Sequence, residues 1–513
     1  MGTPAQRLIR SIPLIVIAWS QLLAVPFCGV VFAQEKEAAA PLPEGDVRRF
    51  GATGDGVNDD TDAIQRAIDS KVGQVTFGKG TYRISRPLEI TLDETGYTSL
   101  SGGGVAKLEM LGPGPAIRLV GTHRGTADPK SISENVWAHQ AMPLIDGIRI
   151  MGKHPEAVGV EATGTMQLTL SRLHLRGLSH GVRLIDTNRN VVISECHIYE
   201  NNGIGVFYDN VDLHQSNITN CHISYNAGGG VVSLAGNVRN IHIAGCDIES
   251  NMSPTTKPTA NVLIDCSGST AGTAEVAITG CTIQHNNPSP DSANIRIIGS
   301  SKPTERLPRI REGNVTIVGN VLSDVQVNIH LKECRGVAIS GNTIWQGYRH
   351  NLLFESCSSI TMSANNLDRN PRYDYGNTAQ ANNGVVFRDC EDCTISGLHL
   401  SNVWREEAGV ILDKCRRFNL TDSSILDCDS AGLLLRNVAD SRISDCLIRN
   451  DRPVGDDAQS KPEPGKEPQK NTTGDKVSIR VEGSSGVMVT DNLLGSPIVG
   501  PVDGLVISGN LIR

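Results

Sequence analysis

The chain lacks most of the short motifs that announce a reaction. It has no HExxH pair, no P-loop and no GxGxxG after a strand. That removes the zincin, nucleotide-hydrolase and dinucleotide-binding classes. It has no basic excess: 47 Lys and Arg stand against 55 Asp and Glu, for a net charge of -8. Bulk electrostatics therefore speak against nucleic acid and anionic membranes as partners. Beyond residue 32 no apolar run is long enough to span a bilayer. Aromatic residues are scarce, 4% of 513, so any cluster of them stands out.

What is present begins with a leader. Arg7 and Arg10 precede an apolar run over 12–32, and Val31-Phe32-Ala33 places small residues where a signal peptidase reads. The pattern predicts a signal peptide over 1–33 and a secreted, periplasmic or cell-surface mature chain of net charge -10. A polar linker over 34–46 follows.

One phrase then recurs. Ile193-Ser194-Glu195-Cys196-His197-Ile198 returns as Ile218-Thr219-Asn220-Cys221-His222-Ile223 and as Ile243-Ala244-Gly245-Cys246-Asp247-Ile248. Its Cys/Asn position falls at 196, 221, 246, 281, 320, 342 and 365. A period near 23 with insertions is the mark of a solenoid. Alternation puts Ile193, Cys196 and Ile198 inside and His197 and Tyr199 outside. The expected class is all-β, a single-stranded right-handed parallel β-helix, with coils over 146–513 and a Pro/Lys/Glu-rich insertion at 451–475. The stretch 47–145 reads as a cap and irregular first coils. The chain stops in mid-repeat at Leu511-Ile512-Arg513. An open last coil calls for cover by an insertion or by an identical subunit, a homo-oligomer.

Thirteen cysteines in an exported chain would ordinarily suggest disulfides. Here Cys196, Cys221, Cys246 and Cys281 share one coil position, and Cys334, Cys357, Cys390 and Cys415 share another. In-register strands lie about 4.8 Å apart, so both rows are expected as stacked, buried thiols. Asn201, Asn226, Asn251 and Asn286 each follow the Cys by five residues and predict an amide ladder.

Before the repeat, Phe50-Gly51-Ala52, Gly54-Asp55-Gly56, Asp59-Asp60-Thr61, Ala63-Ile64 and Ala67-Ile68 lead into Gly80-Thr81-Tyr82. The Asp pair reads as a helix cap, and Ala63, Ile64, Ala67 and Ile68 form one apolar face that would plug the N-terminal coil. These residues resemble the N-terminal signature of the pectin-lyase-like right-handed parallel β-helix superfamily. That group includes pectate lyase-like proteins, rhamnogalacturonases, polygalacturonases, exo-glucanases and phage tailspikes. The resemblance implies a fold more than a reaction. Ser179-His180-Gly181 is the nearest approach to the polygalacturonase Gly-His-Gly. That family's Asn-Thr-Asp, strand Asp-Asp and Arg-Ile-Lys, and the lyase Trp-Ile-Asp-His and Arg-x-Pro-x-x-Arg segments, are absent, so no catalytic residue carries over.

Two constellations remain. The position after the Cys holds His174, His197, His222 and Asp247 in successive coils, and two residues on stand Arg176, Tyr199, Ser224 and Glu249. Arg189, His214, Tyr225 and Arg239 lie in adjoining turns. His, Tyr, Arg and paired carboxylates cover base, acid and charge neutralisation. Further on come Trp345, Tyr348, Arg349 and His350, then Arg372, Tyr373 and Tyr375, then Trp404 and Arg405. Such residues stack on sugar rings and hold carboxylates, or fasten long loops to the coil.

The expected function is therefore carbohydrate-directed: a lyase acting by β-elimination on a uronate polysaccharide. His197 or His222 would be base, Tyr199 or Tyr225 acid, and Arg189 or Arg239 neutraliser. A cation such as calcium at Asp247 and Glu249 would suit their oxygen ligands. A hydrolase of polygalacturonase or rhamnogalacturonase type would instead use Asp247 and Glu249 as its carboxyl pair. A non-catalytic glycan-binding or surface-structural β-helix is the third reading.

Overall fold

The computed structural model describes residues 41–125, 127–373, 376–451 and 476–513. The expected signal peptide, the linker up to residue 40, Tyr375 and the insertion from 452 to 475 lie outside the described residues. Among the described residues of 42–513, 44 strands join one sheet system whose pairings are all parallel, and Ser300–Ser301 with Ile310–Arg311 form a separate two-stranded antiparallel sheet. The chain winds as a right-handed parallel β-helix. No helix among the described residues is long and apolar enough to cross a membrane.

The repeat phrase explains the winding. Ile193, Ile218, Ile243, Ile278, Ile317 and Ile339 pair in one register, and all are buried. Such a side chain contributes about 2 kcal/mol by leaving water. The residue before each Cys or Asn turns the strand through left-handed backbone: Glu195, Asn220, Gly245, Gly280, Gly319 and Gly341 have φ between 53° and 67°. Glycine recurs there because it adopts that conformation without strain. The chain then enters a three-residue strand, His197–Tyr199 in one coil and His222–Ser224 in the next. A second left-handed corner follows, at Glu200, Tyr225, Ser250, His285, Asp324 and Gln346. Beyond it runs the longer second strand, as in Gly229–Leu234 or Ala293–Ile298.

Coils begin earlier than the sequence suggests. Gly80–Ile84, Ser99–Met110 and Leu144–Gly152 already pair in parallel, with a register break between Ser101 and Ala106, so coils form within 47–145. Those coils lack the Cys/Asn marker, and the 121–143 insertion breaks the period. The helix Thr61–Asp69 seals the end with Ala63, Ile64, Ala67 and Ile68 buried. Asp60 does not cap it with its side chain. Its carboxylate instead accepts from the Thr53 and Gly54 amides at 2.6 and 3.1 Å, pinning the Gly loop. Asp59 serves the helix by accepting from the Thr61 amide at 2.9 Å.

All twelve described cysteines are buried free thiols. Burial pushes the Cys266 and Cys446 thiols up to about 11, which keeps them protonated and inert. The asparagine ladder runs Asn201, Asn226, Asn251 as expected, with amide-to-carbonyl contacts of 2.7 Å at each step. It then departs from expectation. Asn251 donates to Asn261, which donates to Asn294, then Asn328, then Asn351. Asn286 stands outside and donates only to the Met252 carbonyl. The insertion over 252–259 moves the ladder position from the near side of the corner to the far side.

Insertions over 252–259, 285–292 and 368–383 open at that same corner, after the short strand. Those over 121–143, 266–272 and 299–312 open after the second strand.

Candidate functional site

The short strands stack into an outward-facing sheet. Register places Lys107, Arg149, His174, His197, His222, Asp247 and Thr282 in one column. The adjacent column runs Met151, Arg176, Tyr199, Ser224, Glu249 and Gln284. The odd positions between them, Leu175, Ile198, Ile223 and Ile248, are fully buried. The inner side fixes which residues must face out.

The outward rings touch. His174 stacks on Tyr199 with centroids 5.1 Å apart and planes 23° apart. His197 meets His222 edge-on at 5.9 Å, and Tyr199 lies 5.9 Å from His222. Tyr199 thus sits between two imidazoles. His222 Nε2 is 3.7 Å from Asp247 Oδ2. His285, at the corner, is 3.9 Å from Glu249 and 3.8 Å from Asp324. Tyr225 occupies the same corner line and is exposed.

Charge changes sign along the column, from Lys107 and Arg149 to Asp247 and Glu249. Burial, then Arg149 and His197, hold the His174 imidazole below its ordinary value, so it is neutral near pH 7. Its Nε2 is buried and unpartnered. Burial, then Glu249, raise the Asp247 carboxyl. Arg176 is committed to Glu200 at 2.8 Å. Arg149 has no carboxylate partner among the described residues and borders, with Arg172, His174, His197 and Tyr199, a cleft of about 300 Å³.

Arg189 and Arg239 do not join this group. They pair with His214 in a separate column, Arg189–His214–Arg239, before the inward strand. Both clamp insertions. Arg189 is 6% exposed and donates to the Ala127 carbonyl at 2.9 Å. Arg239 donates to the Gly272 and Ala271 carbonyls at 2.7 and 2.9 Å. Arg149 is the cation that stands where they were expected. It escaped the sequence reading because its coil has no Cys or Asn marker, although Ile148-Arg149-Ile150 shows the same in-out-in alternation.

The second constellation divides. Trp345 continues the Tyr199–Ser224–Glu249–Gln284–Ser323 column, since Leu322 pairs through the coil with Ile344's strand. It packs on Tyr373 at 5.5 Å between ring centroids. Trp404 carries the Arg369 guanidinium 3.3 Å from its ring centre. These residues, with Gln346 and Asn402, border a cavity of about 200 Å³. The others fasten loops. Tyr348 donates to Asn377 at 2.7 Å, Arg405 to Asn382 and the Ala379 carbonyl at 3.1 and 2.6 Å, and Arg349 pairs with Asp291 at 3.0 Å. Burial, then Arg349, push His350 down to about 4. Arg372 is exposed on the turn Pro371–Tyr373, outside the cavity lining.

One group of three potential metal donors lies together among the described residues. His222, Asp247 and Glu249 bring one donor atom each within 4.8 Å of one another. Calcium takes about six to eight oxygens, whereas this set offers two carboxylates and an imidazole nitrogen. The donors do not fit the calcium expectation, and the elimination proposed for this face takes its positive charge from Arg149 and not from a metal ion. The same distance bears on hydrolysis, because inverting glycosidases separate their carboxyls by roughly 6.5–9.5 Å and retaining ones by about 5–5.5 Å. One oxygen each of Asp247 and Glu249 comes within 4.8 Å, which places the pair nearer the retaining spacing than the inverting one.

Three family models match separate stretches: "Rhamnogalacturonase A/epimerase, pectate lyase-like" over 46–114, "Right handed beta helix region" over 131–248, and "Periplasmic copper-binding protein (NosD)" over 270–504. The metal-donor triad above lies outside the last stretch. No curated protein matches the chain. Among solved structures, the chain is similar to the Dettilon tailspike protein at 15% identity and TM-score 0.45, over 71% of this chain and 64% of that one. It therefore spans a little under two thirds of that tailspike. It is similar to the A-module of the Azotobacter vinelandii mannuronan C-5 epimerase AlgE4 at 14% identity and TM-score 0.39, over 91% and 97%. It is also similar to the catalytic unit of the Streptomyces thermodiastaticus alpha-1,3-glucanase at 11% identity and TM-score 0.39, over 92% and 70%. With its sealed N-terminal coil and stacked parallel strands the chain folds as a right-handed parallel β-helix, and its first coils match the pectate lyase-like model.

Proposed function

We propose that the protein is an exported, carbohydrate-active β-helix that cleaves a uronate-containing polysaccharide by β-elimination. The observation that carries the reading is the column Arg149, His174, His197, His222 with Tyr199 lodged between two of its imidazoles. Elimination needs a base beside the carboxylate, an acid near the leaving oxygen, and a cation on the carboxylate. His197 or His222 removes the proton α to the carboxylate. The electron pair forms the new double bond, the glycosidic C–O bond breaks, and Tyr199 or Tyr225 protonates the departing oxygen. Arg149 neutralises the carboxylate, stabilising the charge that develops there. The step consumes no water and needs no redox partner. The match to the pectate lyase-like model supports the substrate class, and the leader over 1–33 supports export.

The test is a digest of uronate polysaccharides followed at the ultraviolet absorbance of unsaturated uronates. Rising absorbance with matching new reducing ends is expected. New reducing ends without absorbance would overturn elimination in favour of hydrolysis. No product from any uronate polymer would overturn catalysis and leave a glycan binder.

A further inference from the structure

Three coils beyond Glu249, on the same outer sheet, lies the cavity bordered by Trp345, Gln346, Tyr373 and Trp404. At about 4.8 Å per coil it stands roughly 14 Å along the axis from the carboxylates. Its polar atoms are incompletely satisfied. Gln346 is 5% exposed and donates its amide to the Tyr373 carbonyl at 3.0 Å, yet its Oε1 has no partner. The indole Nε1 of Trp345 and that of Trp404 are likewise buried and unpartnered. Buried polar groups are almost always paired, and each exception calls for an explanation. Two unpaired donors and one unpaired acceptor beside an aromatic-lined hollow point to a ligand with both an apolar face and hydroxyls.

The charges narrow its class. Arg369 is the one charged residue among the described residues of the lining, and its guanidinium is spent on the protein. It donates to the Asn402 and Thr378 carbonyls at 3.1 and 3.4 Å and to the Ala381 carbonyl, and it stacks on Trp404. Arg405 and Arg349 are similarly engaged. A carboxylate seated here would meet no available cation. A neutral pyranose would find aromatic faces for its C–H surface and donors and an acceptor for its hydroxyls.

We infer that this cavity is a subsite for one neutral sugar ring, and that the polymer along this face is a heteropolysaccharide with a uronate at the histidine column and a neutral sugar four to six coils away. The inference rests on the proposed polysaccharide-directed function but not on elimination.

The experiment is a titration of the whole protein with neutral hexasaccharides cut from β-glucan, mannan and galactan, and with a hexauronate, read by tryptophan fluorescence. A saturable change with at least one neutral hexasaccharide is expected, weakened about tenfold or more by Trp345→Ala. Gln346→Asn keeps a residue that tolerates the left-handed backbone there (φ 49°). It removes the acceptor's reach and should weaken binding about fivefold, which guards against a Trp345→Ala variant that fails to fold. No response to any neutral hexasaccharide would overturn the subsite, as would equal or tighter Trp345-dependent binding of the hexauronate. The two proposals separate cleanly. Binding without elimination sinks only the lyase reading, and elimination without neutral-sugar binding sinks only the subsite.

Discussion

Between Arg149 and Glu249 the outer sheet is bare, and its His, Tyr and carboxylate side chains lean on one another with few fixed partners. Between Trp345 and Arg405 the same sheet, in the same register, is crossed by the 368–383 loop, whose carbonyls absorb Arg369 and Arg405. The first stretch keeps groups whose protonation can change. The second spends its charges on architecture and keeps aromatic surface. On the proposed function, one solenoid wall would separate chemistry from recognition by position along its axis, with the insertions deciding which coil does which.

The largest expected effect would break the first half of that contrast. Replacing His197 and His222 together by Ala should lower turnover on a uronate polymer by about 10²–10⁴-fold, with the thermal midpoint unchanged because both side chains face outward. Steady-state rates and a melting curve check it.

The second prediction sharpens the contrast through two histidines. His350 is half-buried against the loop side, near Arg349, Arg388, His330 and Glu355, with its value depressed from 6.5 to about 4. Its neutral form is the one the fold prefers. That contribution is whole above pH 6.5 and drains away as pH falls towards 4, by about 3 kcal/mol in all. His174, depressed in the open column, should drain in the same direction by less. Urea midpoints between pH 7 and 4, compared with His350→Gln and His174→Gln variants, read the difference.

The third concerns the ladder both halves share. Asn226→Ala strips partners from Asn201, Ile198 and Asn251 and should cost about 2–3 kcal/mol. Asn286→Ala, off the ladder, should cost under about 0.5 kcal/mol. Denaturant midpoints distinguish them. The smallest effect is expected of Arg239→Met, which should leave turnover within about twofold. It should loosen 266–272 to proteolysis, since that guanidinium holds loop carbonyls rather than substrate.

The coil architecture was legible because Ile, Gly and Cys/Asn each occupy a position whose backbone demand is met by few residue types. Ile193 and its successors fill the core, and Gly245 and Gly280 turn left-handed. The outward facing of His197, Tyr199, His222, Asp247 and Glu249 followed from that alternation. What spacing could not convey was which corner lies beside which. Arg189 sits eight positions before His197, on the other side of the Glu195 corner, and lands in another column. The 252–259 insertion hands the amide ladder from Asn251 to Asn261, past Asn286, because chain length inside a loop carries no register. Nor does sequence say whether an arginine near a tryptophan serves a ligand or a loop. Arg405 and Arg369 serve the loop, and only their carbonyl partners reveal it.

The twelve interior thiols carry a practical consequence. They run from Cys196 to Cys446, in successive coils for much of that span. A maleimide added to the intact protein should find almost nothing to modify, and each coil that opens should surrender its own label at a known position. The chain therefore comes with a built-in ruler for unfolding, able to report from which end the solenoid comes undone.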